Sequence, residues 1–172
     1  MKILFISMPS LHAVRWIENL NTLDYELYWF DVLGKGELPT RSKMHQITNW
    51  KRRKIPYIKG EHFLQQKLPA FYSALGPFLE VTANEKLAQV LKEIQPDVVH
   101  SFEMQSSSYP ILETMQKFSH IKWIYSCWGS DLFYYQNQPQ HVSKIKAVLS
   151  RIQYLHTDCN RDFLIAQSLG FK

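Results

Sequence analysis

"KILFISMPSLHAVRWIENL", Lys2 to Leu20, carries two hydrophobic periods in succession. Lys2–Ser7 is a short apolar run with Pro9 just beyond it, which is how a buried strand reads. Ser10 stands at a helix N-cap position, and Leu11, Val14, Ile17 and Leu20 then recur at helical spacing. A buried strand that runs at once into an amphipathic helix is the opening unit of a parallel sheet, because parallel neighbours need a crossover between them.

The same alternation continues along the chain. Tyr25–Val32 reads as a second strand, Gly34, Gly36 and Pro39 as a loop, and Met44–Trp50 as a third strand. Glu61–Leu79 is weakly helical and is expected to break at Pro69 and Pro77. Thr82 and Glu85 form a capping box ahead of a helical face of Leu87, Val90, Leu91 and Ile94, which Pro96 ends. Asp97–Phe102 is a strand, Ser106–Phe118 a helix with Pro110 near its first turn, and Lys122–Cys127 a strand. Pro139 opens a helix carrying Val142, Ile145 and Leu149, and Gln153–Thr157 is a short strand. Asp158 or Asn160 caps a last helix, and Gly170 sits where a left-handed terminator belongs. The pattern predicts an α/β fold, a Rossmann-like three-layer α/β/α sandwich with a mostly parallel sheet.

The totals agree with one globular domain. The chain has 172 residues, 45% hydrophobic and 20% charged, which excludes a disordered composition. A net charge of +5 fits an anionic partner without choosing among phosphate, nucleic acid and lipid. Cys127 and Cys159 make neither a metal pattern nor a disulfide framework and read as buried free thiols of a reducing cytoplasm. The amino-terminal apolar run is too short for a signal peptide, and no run reaches the roughly 20 residues that span a bilayer.

In parallel sheets ligands collect at the carboxyl ends of strands, so the residues after each strand carry the functional reading. The first such loop has no Gly-x-Gly-x-x-Gly, which argues against a dinucleotide-binding domain. There Ser10, His12, Arg15 and Trp16 are placed to grip an anionic or sugar-like ligand, or to form only a solvent-facing first turn. After Phe102, Glu103 is a carboxylate able to accept from sugar hydroxyls, while Ser106 is expected to cap the next helix. His100 is expected to pack inside. After Cys127 come Trp128, Gly129, Ser130 and Asp131, a flat ring and a carboxylate beside a residue free to take positive φ. Either Ser130 or Asp131 could cap a short following helix, and the group also suits a sugar. The three loops are expected to converge on one crevice.

These residues resemble a family. The Ser10-Leu11-His12-x-x-Arg15-Trp16 helix start, "PDVVHSF" at 96–102, "WGSD" at 128–131 and "HTDCNRDFLIAQSLGF" at 156–171 are similar to the amino-terminal half of retaining glycosyltransferases, the large group that includes sucrose synthases and phosphatidylinositol mannosyltransferases. The likeness is clearest in the first thirty or so residues and after Asp97; Leu33–Thr82 fits only as a variable region. It implies one half of a GT-B fold, the acceptor-side domain of an enzyme moving a hexose from a nucleotide-sugar donor to a glycan or lipid-linked acceptor. The chemistry would belong to cell-envelope polysaccharide synthesis, without metal or other cofactor. A carboxyl-terminal domain holding the donor would lie beyond Lys172, leaving residues 1–172 as a single domain, inactive alone. The resemblance carries over His12 and Asp131 as catalytic-site residues, Asp131 as a structural or an acceptor contact, with Ser10, Arg15, Glu103, Trp128, Gly129 and Ser130 as substrate contacts. Two departures stand out. Met8-Pro9-Ser10-Leu11 replaces a glycine-rich loop, and Trp128 occupies a position where many members have a catalytic His. The alternatives are half of a nucleotide-sugar epimerase, with Glu103 and Asp131 as acid–base groups, and a non-catalytic module docking on a membrane or partner.

Lys51, Arg52, Arg53 and Lys54, flanked by Trp50 and Tyr57, form the strongest charge run. The expectation is attachment to an anionic leaflet, at about 1 kcal/mol per cation, on the inner face of the membrane of a cytoplasmic protein. A solvated surface loop is the alternative. No motif supports nucleic-acid binding.

Overall fold

The computed structural model describes residues 1–172. Six strands form one sheet: β1 (Lys2–Ser7), β2 (Glu26–Asp31), β3 (His45–Ile47), β4 (Val98–Phe102), β5 (Lys122–Ser126) and β6 (Tyr154–His156). Every pairing is parallel, and the order is β3-β2-β1-β4-β5-β6. This is the doubly wound Rossmann order, with its reversal between β1 and β4. The eight α-helices are α1 (Leu11–Glu18), α2 (Glu61–Lys67), α3 (Pro69–Leu79), α4 (Ala83–Ile94), α5 (Leu112–Lys117), α6 (Ser130–Phe133), α7 (Pro139–Arg151) and α8 (Asn160–Ser168).

The two faces of the sheet are covered unequally. Leu4, Ile6, Val99, Trp123 and Tyr125 pack beneath α4, α5, α7 and α8 in the larger core. Ile3, Phe5, Leu27, Trp29 and Phe102 meet Ala13, Val14 and Ile17 of α1 in the smaller one. On that second face α1 does not reach the far edge: Lys122 and Tyr154 are exposed and Ile124 is half-buried.

Local chemistry explains most boundaries. Ser10 caps α1 by accepting from the His12 amide at 3.2 Å. Thr82 and Glu85 complete their capping box at α4. Gly170 takes φ +105° after α8.

Four expectations fail locally. The helical stretch breaks at Pro69 as expected, between α2 and α3, but not at Pro77, which lies within the last turn of α3. Proline is well placed at a first helical position, where no intrahelical N–H bond is lost. Ser106 is not a cap: residues 104–108 form a π-helical turn, capped by Glu103, before a 3₁₀ turn over 109–111 leads into α5. Neither Asp158 nor Asn160 caps α8, whose N-cap is Cys159. Cys127 is buried as expected, but Cys159 is exposed, its thiol donating to Asp162 at 3.2 Å.

Between β3 and α4 the chain makes an excursion. Its base is a stem: the Lys54 amide donates to the Leu79 carbonyl at 2.8 Å and the Val81 amide to the Arg52 carbonyl at 2.9 Å. Beyond the stem α2 and α3 pack mainly on each other.

Candidate functional site

The parallel register sets three side chains in a row. Phe102 of β4 pairs with Ser126 of β5, and Ser126 pairs with His156 of β6. All three stand at the carboxyl ends of their strands, on the face that α1 covers only in part. Over this row lie Trp16 and His12 from α1 and Trp128 from the loop after β5. Together with Asp158 they line a hollow of about 350 Å³. A larger hollow, about 470 Å³, lies near the amino ends of β4 and β5 around Lys92, Asp97 and His120. The smaller one sits where a sheet of this winding holds ligands.

Its walls are largely aromatic. The Trp16 ring centroid is 4.8 Å from His100, 5.4 Å from Phe102 and 6.5 Å from His156. Trp128 lies 5.8 Å from Phe102 and 6.3 Å from His12. Such rings offer flat apolar faces for the C–H side of a sugar, and the histidines, Ser126 and Asp158 offer polar groups.

A buried polar chain backs the floor. Nε2 of His100 is 2.7 Å from the Ser126 hydroxyl, which is 3.3 Å from Nδ1 of His156. Burial pushes the His100 imidazole down to about 3, with the charge of His156 adding to the fall. His100 is therefore neutral near pH 7. The Ser126 hydroxyl thus links the two imidazoles across the floor.

The loops after β1 and β5 meet at the hollow as expected, but the loop after β4 supplies no lining residue, and several polar tips hold the loops rather than facing the hollow. Asp131 is fully buried, and four donors occupy its carboxylate. Oδ2 accepts from the Tyr125 hydroxyl at 2.6 Å and the Met104 amide at 3.0 Å. Oδ1 accepts from the Cys127 thiol at 2.9 Å and the Trp128 amide at 3.0 Å. Of the two roles expected of Asp131, structural support and acceptor contact, the geometry supplies the structural one: it ties the π-helical turn to β5 and fixes the Trp128 loop. Burial is the main cause raising its carboxyl above the usual range, opposed by the thiol and phenol that donate to it. Burial also pushes up the Cys127 thiol and the Tyr125 phenol, so both remain protonated donors.

Glu103 is similarly committed. Its side chain accepts from the Gln105 amide at 3.0 Å and from the amide and hydroxyl of Ser106. It sits at φ +71°, ψ 146°, a region disfavoured for residues with a Cβ. Ser10 is occupied as a helix cap, and Arg15 is exposed but does not line the hollow. Gly129, at φ +76°, and Ser130 belong to the rim loop rather than the lining, and neither Ser130 nor Asp131 is the N-cap of α6, which is Gly129. Of the named site residues, His12 and Trp128 face the hollow together.

Residues 2–159 match the family described as glycosyl transferase 4-like. The chain belongs to that family. In fold the chain is similar to a UDP-GlcNAc 2-epimerase from Methanocaldococcus jannaschii, with a TM-score of 0.54 and 12% identity. That likeness covers 100% of this chain and 43% of the epimerase, so the chain spans less than half the length of that protein. No curated protein sequence matches.

Sequence reading of this glycosyl transferase 4-like chain found His12, Trp16 and Trp128 but gave no site role to Ser126, His156 or Asp158. Ser126 and His156 are ordinary strand residues until the β4–β5–β6 register sets them beside Phe102. The signal available was "HTD" at 156–158, directly after the last strand.

The basic run also differs from its expectation. Arg53 makes a bidentate pair with Glu61 at 2.7 and 2.8 Å and lies 3.9 Å over the Tyr57 ring. Lys54 pairs with Glu85 and donates to the Pro77 carbonyl at 2.7 Å, and Lys51 is 3.5 Å from Glu80. Three of the four cations therefore fasten the stem of the excursion, and Arg52 alone lacks a carboxylate partner. A free cationic patch built from all four is corrected to a structural clasp. The Arg53 guanidinium, the Tyr72 hydroxyl and the Ile58 amide hold the Glu61 carboxyl down to about 2. No group of three or more His, Cys, Asp or Glu is placed to hold a metal ion, and no helix is long and apolar enough to cross a membrane.

Proposed function

We propose that this chain is the acceptor-side half of a glycosyltransferase that moves a sugar from a nucleotide-sugar to a glycan or lipid-linked acceptor with retention. The observation that carries this reading is the hollow of Trp16, Phe102, Trp128, His12 and His156 at the carboxyl edge of the sheet. Its stacked rings suit a pyranose face, and its lining, which includes the Asp158 carboxylate and no Lys or Arg, suits a hydroxylated ligand better than a phosphate. The diphosphate of the donor then belongs to a second domain facing this edge.

In this reading the residues act by positioning. Trp128 and Trp16 hold the acceptor ring, and His12 and His156 hold hydroxyls. The acceptor hydroxyl attacks the anomeric carbon on the face from which the nucleoside diphosphate departs. Its proton passes to the leaving phosphate, so no protein nucleophile is consumed. Asp131 and Ser126 act indirectly, by fixing Trp128 and His156.

Epimerase chemistry within the donor sugar is the second reading. It requires acid–base groups at the strand ends, and both carboxylates that sequence reading offers, Glu103 and Asp131, are engaged with loop amides. This weighs toward transfer.

The test is binding followed by product analysis. Titrating a panel of neutral oligosaccharides should shift the indole N–H resonances of Trp16 and Trp128 while leaving buried Trp123 in place. In the enzyme that contains this chain, Trp128→Ala and His12→Ala should lower transfer about 10- to 100-fold, a loss typical of misplaced reactants. Wild-type turnover in both variants, or inversion within the donor sugar without transfer, would overturn the reading.

A further inference from the structure

The excursion between β3 and α4 has an unusual surface. Tyr57, Phe63, Phe71 and Phe78 are 79%, 63%, 55% and 73% exposed, and Ile58 and Leu68 are exposed beside them. Leu68–Leu79 contains no charged residue, and Phe71, Leu75 and Phe78 recur at helical spacing on α3. The α2–α3 pair packs mainly on itself, so this face has no partner within the fold. Isolated apolar residues on a surface need no explanation, but a cluster confined to one protruding element does.

The charge around the cluster is mostly positive. Trp50–Leu79 holds six Lys and Arg against a single carboxylate, with Glu80 and Glu85 just beyond it pairing Lys51 and Lys54 at the stem. That carboxylate, Glu61, is buried against Arg53. Lys59 and Lys67 are exposed and have no carboxylate partner, as does Arg52 at the stem. An isologous pairing of two copies through this face would oppose like charges. An anionic bilayer surface satisfies both features: aromatic side chains enter the headgroup boundary and flanking cations meet lipid phosphate.

The excursion also has a defined position. A hollow at its base, about 270 Å³, is lined by Val32 and Leu33 just after β2 together with Trp50, Gly76 and Pro77. The element therefore rises from the carboxyl edge of the sheet, the edge that carries the aromatic hollow on its other half.

We infer that the α2–α3 excursion is a docking element for an anionic lipid surface, entering through Tyr57, Phe63, Phe71 and Phe78 with Lys59 and Lys67 on the phosphates. Lys51, Arg53 and Lys54 of the basic run brace the stem that presents these rings, and Arg52 remains unpaired beside it.

Co-sedimentation with vesicles tests the element directly, without any sugar transfer. The chain should bind vesicles of phosphatidylcholine with phosphatidylglycerol and bind pure phosphatidylcholine far more weakly. The triple variant Phe63→Ser, Phe71→Ser, Phe78→Ser should lose at least about tenfold in partition coefficient, given the apolar area removed. Its circular dichroism and thermal midpoint should stay unchanged, since all three side chains are exposed. Lys59→Glu with Lys67→Glu should weaken binding to anionic vesicles and reduce its salt sensitivity. Unchanged partition of the triple variant would overturn the inference. So would sedimentation velocity showing that the wild-type chain self-associates through these phenylalanines and that vesicles do not compete.

Discussion

The carboxyl edge of this sheet carries two regions that are held in opposite ways. Over β1, β4, β5 and β6 the rim is fixed by a buried carboxylate: Asp131 gathers two backbone amides, a phenol and a thiol, all neutral donors. Over β2 and β3 the excursion is fixed by ion pairs at its stem, Arg53–Glu61, Lys54–Glu85 and Lys51–Glu80. The first arrangement is continuous with the main core, since Tyr125, Cys127 and Met104 belong to it. The second joins an element that barely touches the core. A rim that must hold rings in register is therefore built into the global fold, whereas the excursion can open by itself. Stability differs across the molecule accordingly.

The largest expected effect comes from cutting the rim. Asp131→Ala leaves four donors around a vacated site and should cost on the order of 3–4 kcal/mol in urea unfolding. The variant should be unstable as well as less active. A loss below about 1 kcal/mol would mean that the carboxylate does not organise the rim.

Acid separates the two regions. The folded chain refuses a proton at His100 until about pH 3, whereas the unfolded chain takes one up near 6.5. The unfolded state thus binds more protons in between, and stability falls as pH drops through that window, on the order of 3 kcal/mol by pH 4. Asp131, raised by burial, acts in the opposite sense, so the comparison is wild type against His100→Asn, whose profile should be flatter. The Glu61 clasp is depressed to about 2, so its contribution is fully present above pH 4.5 and is lost as pH falls toward 2. Hydrogen exchange along a pH series should show the stem persisting after global stability has begun to decline. Earlier loss of the stem would reverse the ranking of the two regions.

Arg53→Met should act locally. Amide exchange in α2 and α3 should rise about tenfold with the urea midpoint nearly unchanged, because the excursion opens without the core. A matching drop in global stability would show the excursion to be part of the same cooperative unit. The smallest effect is Ser10→Ala, about 1 kcal/mol for a lost helix cap, read as a thermal shift. A loss well above that would give the Ser10 hydroxyl a role beyond the cap.

The alternation of strand and helix was legible from periodicity, because burying one face of each element imposes it on local residue order. The capping box at Thr82, the cap at Ser10 and the terminator at Gly170 were legible for the same reason: each is a contact within a few residues. At the site, sequence alone pointed to the loops after β1, β4 and β5 and selected His12 and Trp128 within them. Asp131 and Glu103 were visible as polar residues in those loops, but an ionisable side chain looks the same in sequence whether it faces solvent or gathers buried amides. The carboxylate partners of Lys51, Arg53 and Lys54 were not legible either, since Glu61, Glu80 and Glu85 lie far enough along the chain to escape any local pattern. Only the tertiary structure decided that Phe102, Ser126 and His156 form one floor, because strand register is set by packing across the sheet and not by any single segment.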